Sequence, residues 1–210
     1  MSAFFPNPPP AGVEIDRPLG DPAVRRFLAS RRSAGKNLLG TPGPSPEQID
    51  EILQVSMRAP DHRRVEPWRF LVFEGQARLD YGALLAALKA EDTDASEDDI
   101  QAEHARLLRA PVVVALISSP QPEHKTPVWE QELSAGAVAM NLLHAAHAAG
   151  WGAVWLSEWI CYDARINEAM SLSPTERLVG FFYIGTPQAA SVERPRPDAK
   201  GKIKRWSRAT

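Results

Sequence analysis

The chain has 210 residues, a length that allows one domain with a substantial hydrophobic core. Hydrophobic residues make up 44% of it and charged residues 24%, as in ordinary globular proteins, and the formal net charge is -2 at pH 7. This balance argues against nucleic-acid or membrane-surface binding by the chain as a whole, because both need a strong basic excess.

A single cysteine, Cys161, excludes an intrachain disulfide and is consistent with a reducing compartment. The first residues turn proline-rich without a basic flank, unlike a secretory signal. The weakly polar run 133–157 contains histidines and glycines and divides into a helix and a strand, so it does not indicate a membrane span. We therefore expect a cytoplasmic protein without membrane or nucleic-acid partners.

The chain begins with an arm and a capped helix. Residues 1–20 are proline-rich and aperiodic, which predicts an extended or partly disordered arm. Asp21 is a helix cap, and Pro22 fits the first helical position. The helix that follows, DPAVRRFLASRR, is expected to bury its apolar residues Val24, Phe27 and Leu28.

A second capped helix leads into the first long strand. Ser45 and Pro46 begin the helix and Pro60 ends it, with an apolar stripe predicted at Ile49, Ile52, Leu53 and Met57. WRFLVFEG, from Trp68, has the continuous apolar run of a buried strand. Residues 76–90 predict a third helix.

The second half alternates helices and strands. Helical propensity returns at 98–109, and VVVALIS is a buried, β-branched strand. A long helix runs from Pro127 through Gly150, with a predicted stripe at Leu133, Ala137, Met140, Leu143 and Ala146. Its small residues, within 135–139, permit close approach, as in a helix–helix core or at a dimer seam. The chain then predicts a strand (WGAVWLS), a short helix, a last strand (RLVGFFYIG) and a polar tail.

This order of elements predicts an α+β sandwich with about four strands rather than a doubly wound sheet. No G-x-G-x-x-G follows a strand, and no phosphate-binding loop of the Walker type occurs. His144 and His147 lack a third metal ligand at suitable spacing, so no metal site is predicted.

Three segments carry residue types suited to an anionic ligand. SRRSAGK, residues 30–36, offers arginine forks and a hydroxyl that suit phosphate; the alternative is a solvated helix end. RAPDHRRVEPWRF, residues 58–70, holds four arginines and a histidine in a connection stiffened by two prolines. GWGAVWLSEW, residues 150–159, ends a strand where N–H groups can bond a ligand, or is simply a helix cap and core.

Five motifs in order resemble the nitroreductase superfamily of FMN-dependent enzymes: RRS, RAPDHRRVEPWRF, WEQELSAGAVAMNLLHAA, WGAVWLS and VGFFYIGTPQ. The APDH form of the loop is similar to that of its small bacterial NAD(P)H nitroreductase branch. The resemblance covers roughly residues 25–190. It implies an FMN-binding domain over 21–190, followed by a polar tail over 191–210.

The resemblance also implies a mainly antiparallel central sheet flanked by helices, in an intertwined homodimer with two FMN sites at the interface. It implies that the FMN phosphate and ribityl chain are held by Arg31, Arg32 and Ser33. Arg58 and His62 are placed near the flavin of the same site.

The strand-end residues Trp155, Leu156 and Ser157 are expected to come from one chain to a flavin shared with the other. By this analogy, a backbone N–H of Ser157 or Glu158 is expected to point at flavin N5. A cation near N1 and C2=O would stabilise reduced flavin, and Lys36 or Arg58 could supply it.

Three positions depart from the family pattern. Glu66 stands where many relatives have glutamine, and Arg64 where many have asparagine. Glu158 aligns to a frequent glycine, so it could narrow the pocket, and its carboxylate would disfavour anionic acceptors.

The resemblance implies a ping-pong oxidoreductase that takes a hydride from NAD(P)H and reduces a nitroaromatic or quinone. One alternative is a flavin-dependent dehydrogenase or dehalogenase on the same scaffold. Another is a flavin-binding dimeric module without turnover, which the Glu158 departure keeps open.

Overall fold

The computed structural model describes residues 4–15 and 20–208, so parts of the predicted arm and tail, residues 1–3, 16–19 and 209–210, lie outside it. The helices of the described residues are α1 Pro22–Ser30, α2 Pro46–Ser56, α3 Gln76–Ala90, α4 Glu97–His104, α5 Val128–Ala148 and α6 Ala164–Ala169. The strands are β1 Leu39–Gly40, β2 Trp68–Glu74, β3 Val112–Ser118, β4 Gly152–Leu156 and β5 Arg177–Pro187.

Strand β5 is the centre of one antiparallel sheet. It pairs with β3 along one side and with β4 along the other, and β2 pairs with the outer side of β3. The two-residue strand β1 joins the end of β5, with Gly40 opposite Thr186. The predicted α+β class and antiparallel sheet are confirmed, and β1 is a strand that the sequence did not predict.

Successive side chains of β5 point to opposite faces of the sheet. Both faces are apolar, and helices cover each of them to form two cores. Phe181 and Tyr183 face a core that includes α3 and α6. Phe182 and Ile184 face a second core that includes α2 and α5. Strand β3 is buried throughout, as its apolar run predicted.

The ends of α2 show why local sequence predicts this helix well. The Ser45 side chain accepts from the Gln48 N–H while the Gln48 side chain accepts from the Ser45 N–H, which forms a capping box. Ile49, Ile52 and Leu53 are buried as predicted, but Met57 is exposed because it lies past the last helical residue.

Three further burial predictions are wrong, each for a tertiary reason. Val24 and Leu28 are 54% and 59% exposed because α1 lies on the surface of the protomer. Strand β2 is only half-buried because it is the outer strand beside β3. On α5, Leu133 is 58% exposed, whereas Val138 and Leu142 pack into the core against the sheet and Ser134 is also buried.

Within the described ranges, no helix combines the length and apolar character that a membrane crossing needs.

Candidate functional site

Helix α1 delivers Arg31 to a crowded cationic position. The Arg31 N–H closes the helix by donating to Phe27 O at 2.8 Å. Its Nη1 is buried and, among the described residues, finds no acceptor. Burial lowers the pKa of Arg31, and Arg32 and Arg196 lower it further. A buried, partly unpaired guanidinium among other cations is a group that an anion would stabilise.

His147 lies near this arginine at the C-terminal end of α5. Both of its ring nitrogens are buried without a partner in the described structure. Burial and then the charge of Arg31 lower the pKa of His147 to about 4. The ring is therefore neutral at pH 7 and adds no charge to the cluster.

A cavity of about 770 Å³ opens beside this helix end. It brings together five predicted site residues: Arg32, Ser33, Lys36, Trp155 and Leu156. Its lining combines cationic side chains with apolar ones, among them Leu38 and Val154. Such a cavity suits a ligand that has both an anionic group and an apolar ring.

The C-terminal tail, which was predicted from the sequence to lie outside the domain, forms the remaining wall of the cavity. Arg32 Nε donates to Val192 O at 3.2 Å, and Ser191 Oγ donates to Ser33 O at 3.2 Å. Glu193 lies 3.7 Å from Arg32. Arg194 also lines the cavity. The sequence signal that could have identified the tail as part of the site is the run RPRP, because stiff cationic segments of this kind bind anions well.

Trp155 is a rigid part of the apolar wall. Its Nε1 donates to Val179 O at 3.0 Å, and its ring stacks on Phe182 with centroids 5.4 Å apart. Gly180 makes room for it, because a Cβ there would lie 2.1 Å from Trp155 Nε1.

Ser157 and Glu158 lie just past the last β4–β5 residue pair, Leu156 with Phe181, and do not line the cavity wall. The Glu158 carboxylate accepts from Arg106 and Arg109. Burial acts to raise the pKa of Glu158, but the two arginines outweigh it and hold that pKa below its ordinary value. The carboxylate is thus ionised and paired with two arginines.

In the second predicted segment, residues 58–70, the part before β2 forms a loop along α5, from Asn141, whose Nδ2 donates to Arg58 O, to Glu130. Ser134 Oγ donates to Pro60 O at 2.6 Å, and His62 Nδ1 lies 2.8 Å from Glu130 Oε2. Arg63, Arg64 and Glu66 all have positive φ, at 67°, 51° and 53°. Each left-handed residue of this kind costs about 1 kcal/mol, so the surrounding contacts must impose this backbone.

Within one protomer His62 lies far from the end of α1, whereas Arg58 lies closer to it, since Asn141 Nδ2 donates to Arg58 O at 3.0 Å. His62 contacts Glu130 near one end of α5, while Phe27 of α1 contacts His144 near the other. At 1.5 Å per residue, these points are separated by about 20 Å along the helix. The structure does not bring Arg58 and His62 to the cavity that holds Arg32 and Trp155. Arg58 instead borders a smaller cavity beneath the arm.

Solved structures share this arrangement of elements. The Nitroreductase-like Family Protein from Bacillus cereus aligns with a TM-score of 0.75 at 21% identity, covering 90% of this chain and 98% of that one. A Desulfovibrio desulfuricans structure, described as a "putative nitroreductase in complex with fmn", aligns with a TM-score of 0.66 at 26% identity, covering 89% and 98%. The fold is therefore nitroreductase-like.

Sequence comparison gives the same family directly. The pattern of the Nitroreductase family matches residues 28–186. The Escherichia coli K12 protein named "Putative NAD(P)H nitroreductase YdjA" is 38% identical over 176 residues, covering 81% of this chain and 93% of YdjA. A Haemophilus influenzae relative with a similar name is 35% identical over 162 residues, covering 76% and 86%. This chain belongs to the nitroreductase family.

Proposed function

We propose that the protein is an FMN-dependent oxidoreductase that accepts a hydride from NAD(P)H and reduces a nitroaromatic or quinone-like compound. The observation that carries the proposal is the cavity of about 770 Å³ that is lined by both cationic and apolar residues. The names of YdjA and the FMN complex of the D. desulfuricans neighbour support the same donor and cofactor.

The cationic residues that line the cavity have the hydrogen-bond donors that an FMN phosphate needs. Arg32 and Lys36 line it, and the unpaired Nη1 of Arg31 lies nearby in sequence. Arginine binds phosphate through paired N–H donors, and Ser33 adds a hydroxyl. Arg194 of the tail would contribute a further positive charge.

The apolar residues of the lining would hold the flavin ring. Trp155 and Leu156 line the cavity, and the Ser157 and Glu158 N–H groups follow directly after the last ladder pair. An N–H directed at flavin N5 would fix the ring for hydride transfer. Lys36, half-exposed beside Glu158, is a cation available for the pyrimidine side of the ring.

A second copy of the chain would complete the site. One protomer supplies the cavity, whose lining includes neither Arg58 nor His62, and His62 contacts α5 about 20 Å along the helix from the contact of α1. The outer face of α5 supports such an assembly: Trp129 and Leu133 are 63% and 58% exposed, and Gly136 has open space around it. We propose a homodimer in which Arg58 and His62 of one protomer approach the flavin held by the other.

Bound FMN would supply the hydride chemistry, so the protein needs no dedicated acid or base at the site. The residues hold the cofactor, keep one face of its ring accessible and stabilise charge on it. If NAD(P)H and the acceptor use that same face in turn, the kinetics will be ping-pong.

Anaerobic reduction followed by an acceptor panel tests the proposal. Purified protein should be yellow, show flavin absorption and elute as a dimer. NADH or NADPH should bleach it, and a nitroaromatic or quinone should restore the colour. Colour that persists with both donors would instead support a flavin-binding module without turnover. Failure of the purified protein to bind FMN would refute both the oxidoreductase and the flavin-binding module.

The phosphate assignment has its own test. Replacing Arg31 and Arg32 together by alanine should release FMN, measured as flavin retained after gel filtration. The matched control replaces Arg25 and Arg26, two exposed arginines of α1, and should retain FMN. Unchanged FMN content in the first variant would place the phosphate elsewhere.

A further inference from the structure

A buried ion-pair cluster lies behind the end of β4 and includes Glu103, Arg106 and Arg109, which the proposed site does not use. Arg106 donates through Nε and Nη2 to the Glu103 carboxylate and through Nη1 to Glu158. Arg109 Nη1 donates to the same oxygen of Glu158 at 2.6 Å. The Trp159 indole donates to Glu103 at 3.1 Å. Glu103 and Arg106 are only 4% and 6% exposed, so water screens their charges little.

This cluster fixes Glu158 at both its side chain and its backbone. Removing one partner of a buried pair leaves an uncompensated charge, so Arg106 stays between its two carboxylates. The Glu158 carbonyl accepts from the Cys161 N–H at 2.9 Å. The backbone at 157–158, which carries the N–H groups assigned to the flavin, is therefore held in one conformation by groups outside the cavity.

The cluster also has an excess of positive charge. Three cations, Arg106, Arg109 and Lys36, surround the two carboxylates of Glu103 and Glu158, which leaves one positive charge uncompensated. Positive charge beside a flavin stabilises its reduced, anionic form and so raises its reduction potential.

We propose that Arg106 and Arg109 are positioning residues that hold Glu158, so that the 157–158 backbone stays directed at the flavin. Together with Glu158, they also set the local charge that tunes the reduction potential of the flavin. This inference rests on the proposed FMN site. It gives a role to the Glu158 departure from the family glycine: the carboxylate is the attachment point of the cluster.

Opposite charge changes within the cluster test the inference. FMN-loaded Arg109→Gln and Glu158→Gln variants are titrated anaerobically against a reference dye, and FMN dissociation constants are measured by flavin fluorescence. Arg109→Gln removes a cation and should shift the midpoint potential to more negative values. Glu158→Gln removes an anion and should shift it to more positive values. The double variant should return toward the wild-type potential, and each single variant should bind FMN severalfold more weakly.

Two controls separate charge tuning from structural damage. Arg69→Gln breaks a bidentate pair with Glu176 near the other end of β3 and should leave the potential unchanged. Arg109→Lys keeps the charge and should restore the potential. Suppose that wild-type protein binds FMN. The inference is then wrong if both single variants shift the reduction potential in the same direction, or if neither shifts it by more than Arg69→Gln does. The proposed function would still stand in both cases. If wild-type protein binds no FMN, both the inference and the proposed function fail.

Discussion

The ion pair of Arg69 and Glu176 allows a stability prediction with a worked magnitude. The Glu176 carboxylate accepts from Arg69 Nε at 2.6 Å, Arg69 Nη2 at 3.0 Å, Ser119 Oγ at 2.5 Å and Ser173 N at 2.9 Å. These hydrogen bonds, above all those from Arg69, lower the pKa of Glu176 from 4.5 to about 2. The Glu176 side chain is 12% exposed, and that of Arg69 is 36% exposed.

At about 1.4 kcal/mol per pH unit, this lowering corresponds to about 3 kcal/mol of unfolding free energy at neutral pH. The exposure of Arg69 reduces the expectation to about 2 kcal/mol, because solvent screens the pair. Since the folded-state pKa lies below the unfolded one, the contribution is complete above about pH 5 and is lost as the pH falls toward 2.

Glu176→Gln should therefore reduce the unfolding free energy by about 2 kcal/mol at pH 7 and by about 1 kcal/mol or less at pH 3. Urea denaturation at one fixed protein concentration measures both values. The matched control is Glu123→Gln, because Glu123 is exposed and forms no ion pair among the described residues. An equal difference at the two pH values would refute the electrostatic reasoning, since loss of shape or packing does not depend on the charge of Glu176.

Two further predictions concern the site and the assembly. Gly180→Ala should weaken FMN binding by about tenfold or more, because the new Cβ would displace Trp155 from the cavity wall; Gly201→Ala, which meets open space, is its control in the same fluorescence titration. Gly136→Arg should leave the protomer folded, since nothing lies within 4 Å of the added Cβ, but should shift gel filtration toward a monomer and reduce bound FMN. A Gly136→Arg dimer that retains FMN would contradict the proposed interface.

Elements specified by local contacts were predictable from the sequence. The Asp21 cap of α1 and the Ser45 capping box of α2 are hydrogen bonds between residues two or three positions apart. Strand β3 is surrounded on both faces, so its unbroken apolar run was a sufficient signal. Strand β2 has a similar run, but its position outside β3 depends on strand order, which periodicity does not encode.

The site was only partly predictable because its remaining residues meet over long sequence separations. Arg109 and Glu158 are 49 residues apart, and Ser33 and Ser191 are 158 residues apart. The motif order predicted Arg32, Ser33 and Trp155, which do share a cavity. Arg106 had no local signal, because in sequence it reads as one more basic residue of a helical stretch.

The wrong burial predictions on α1 and α5 have one common explanation under the proposed dimer. Val24, Leu28 and Leu133 were expected to be buried from their helical spacing, and each is more than half exposed in the protomer. The two helices are neighbours, since Phe27 packs edge-on against His144, one turn beyond Met140. A protomer alone would expose these apolar side chains to water at a cost of about 25 cal/mol per Å². Under the proposed homodimer, a second copy of the chain would cover these apolar side chains.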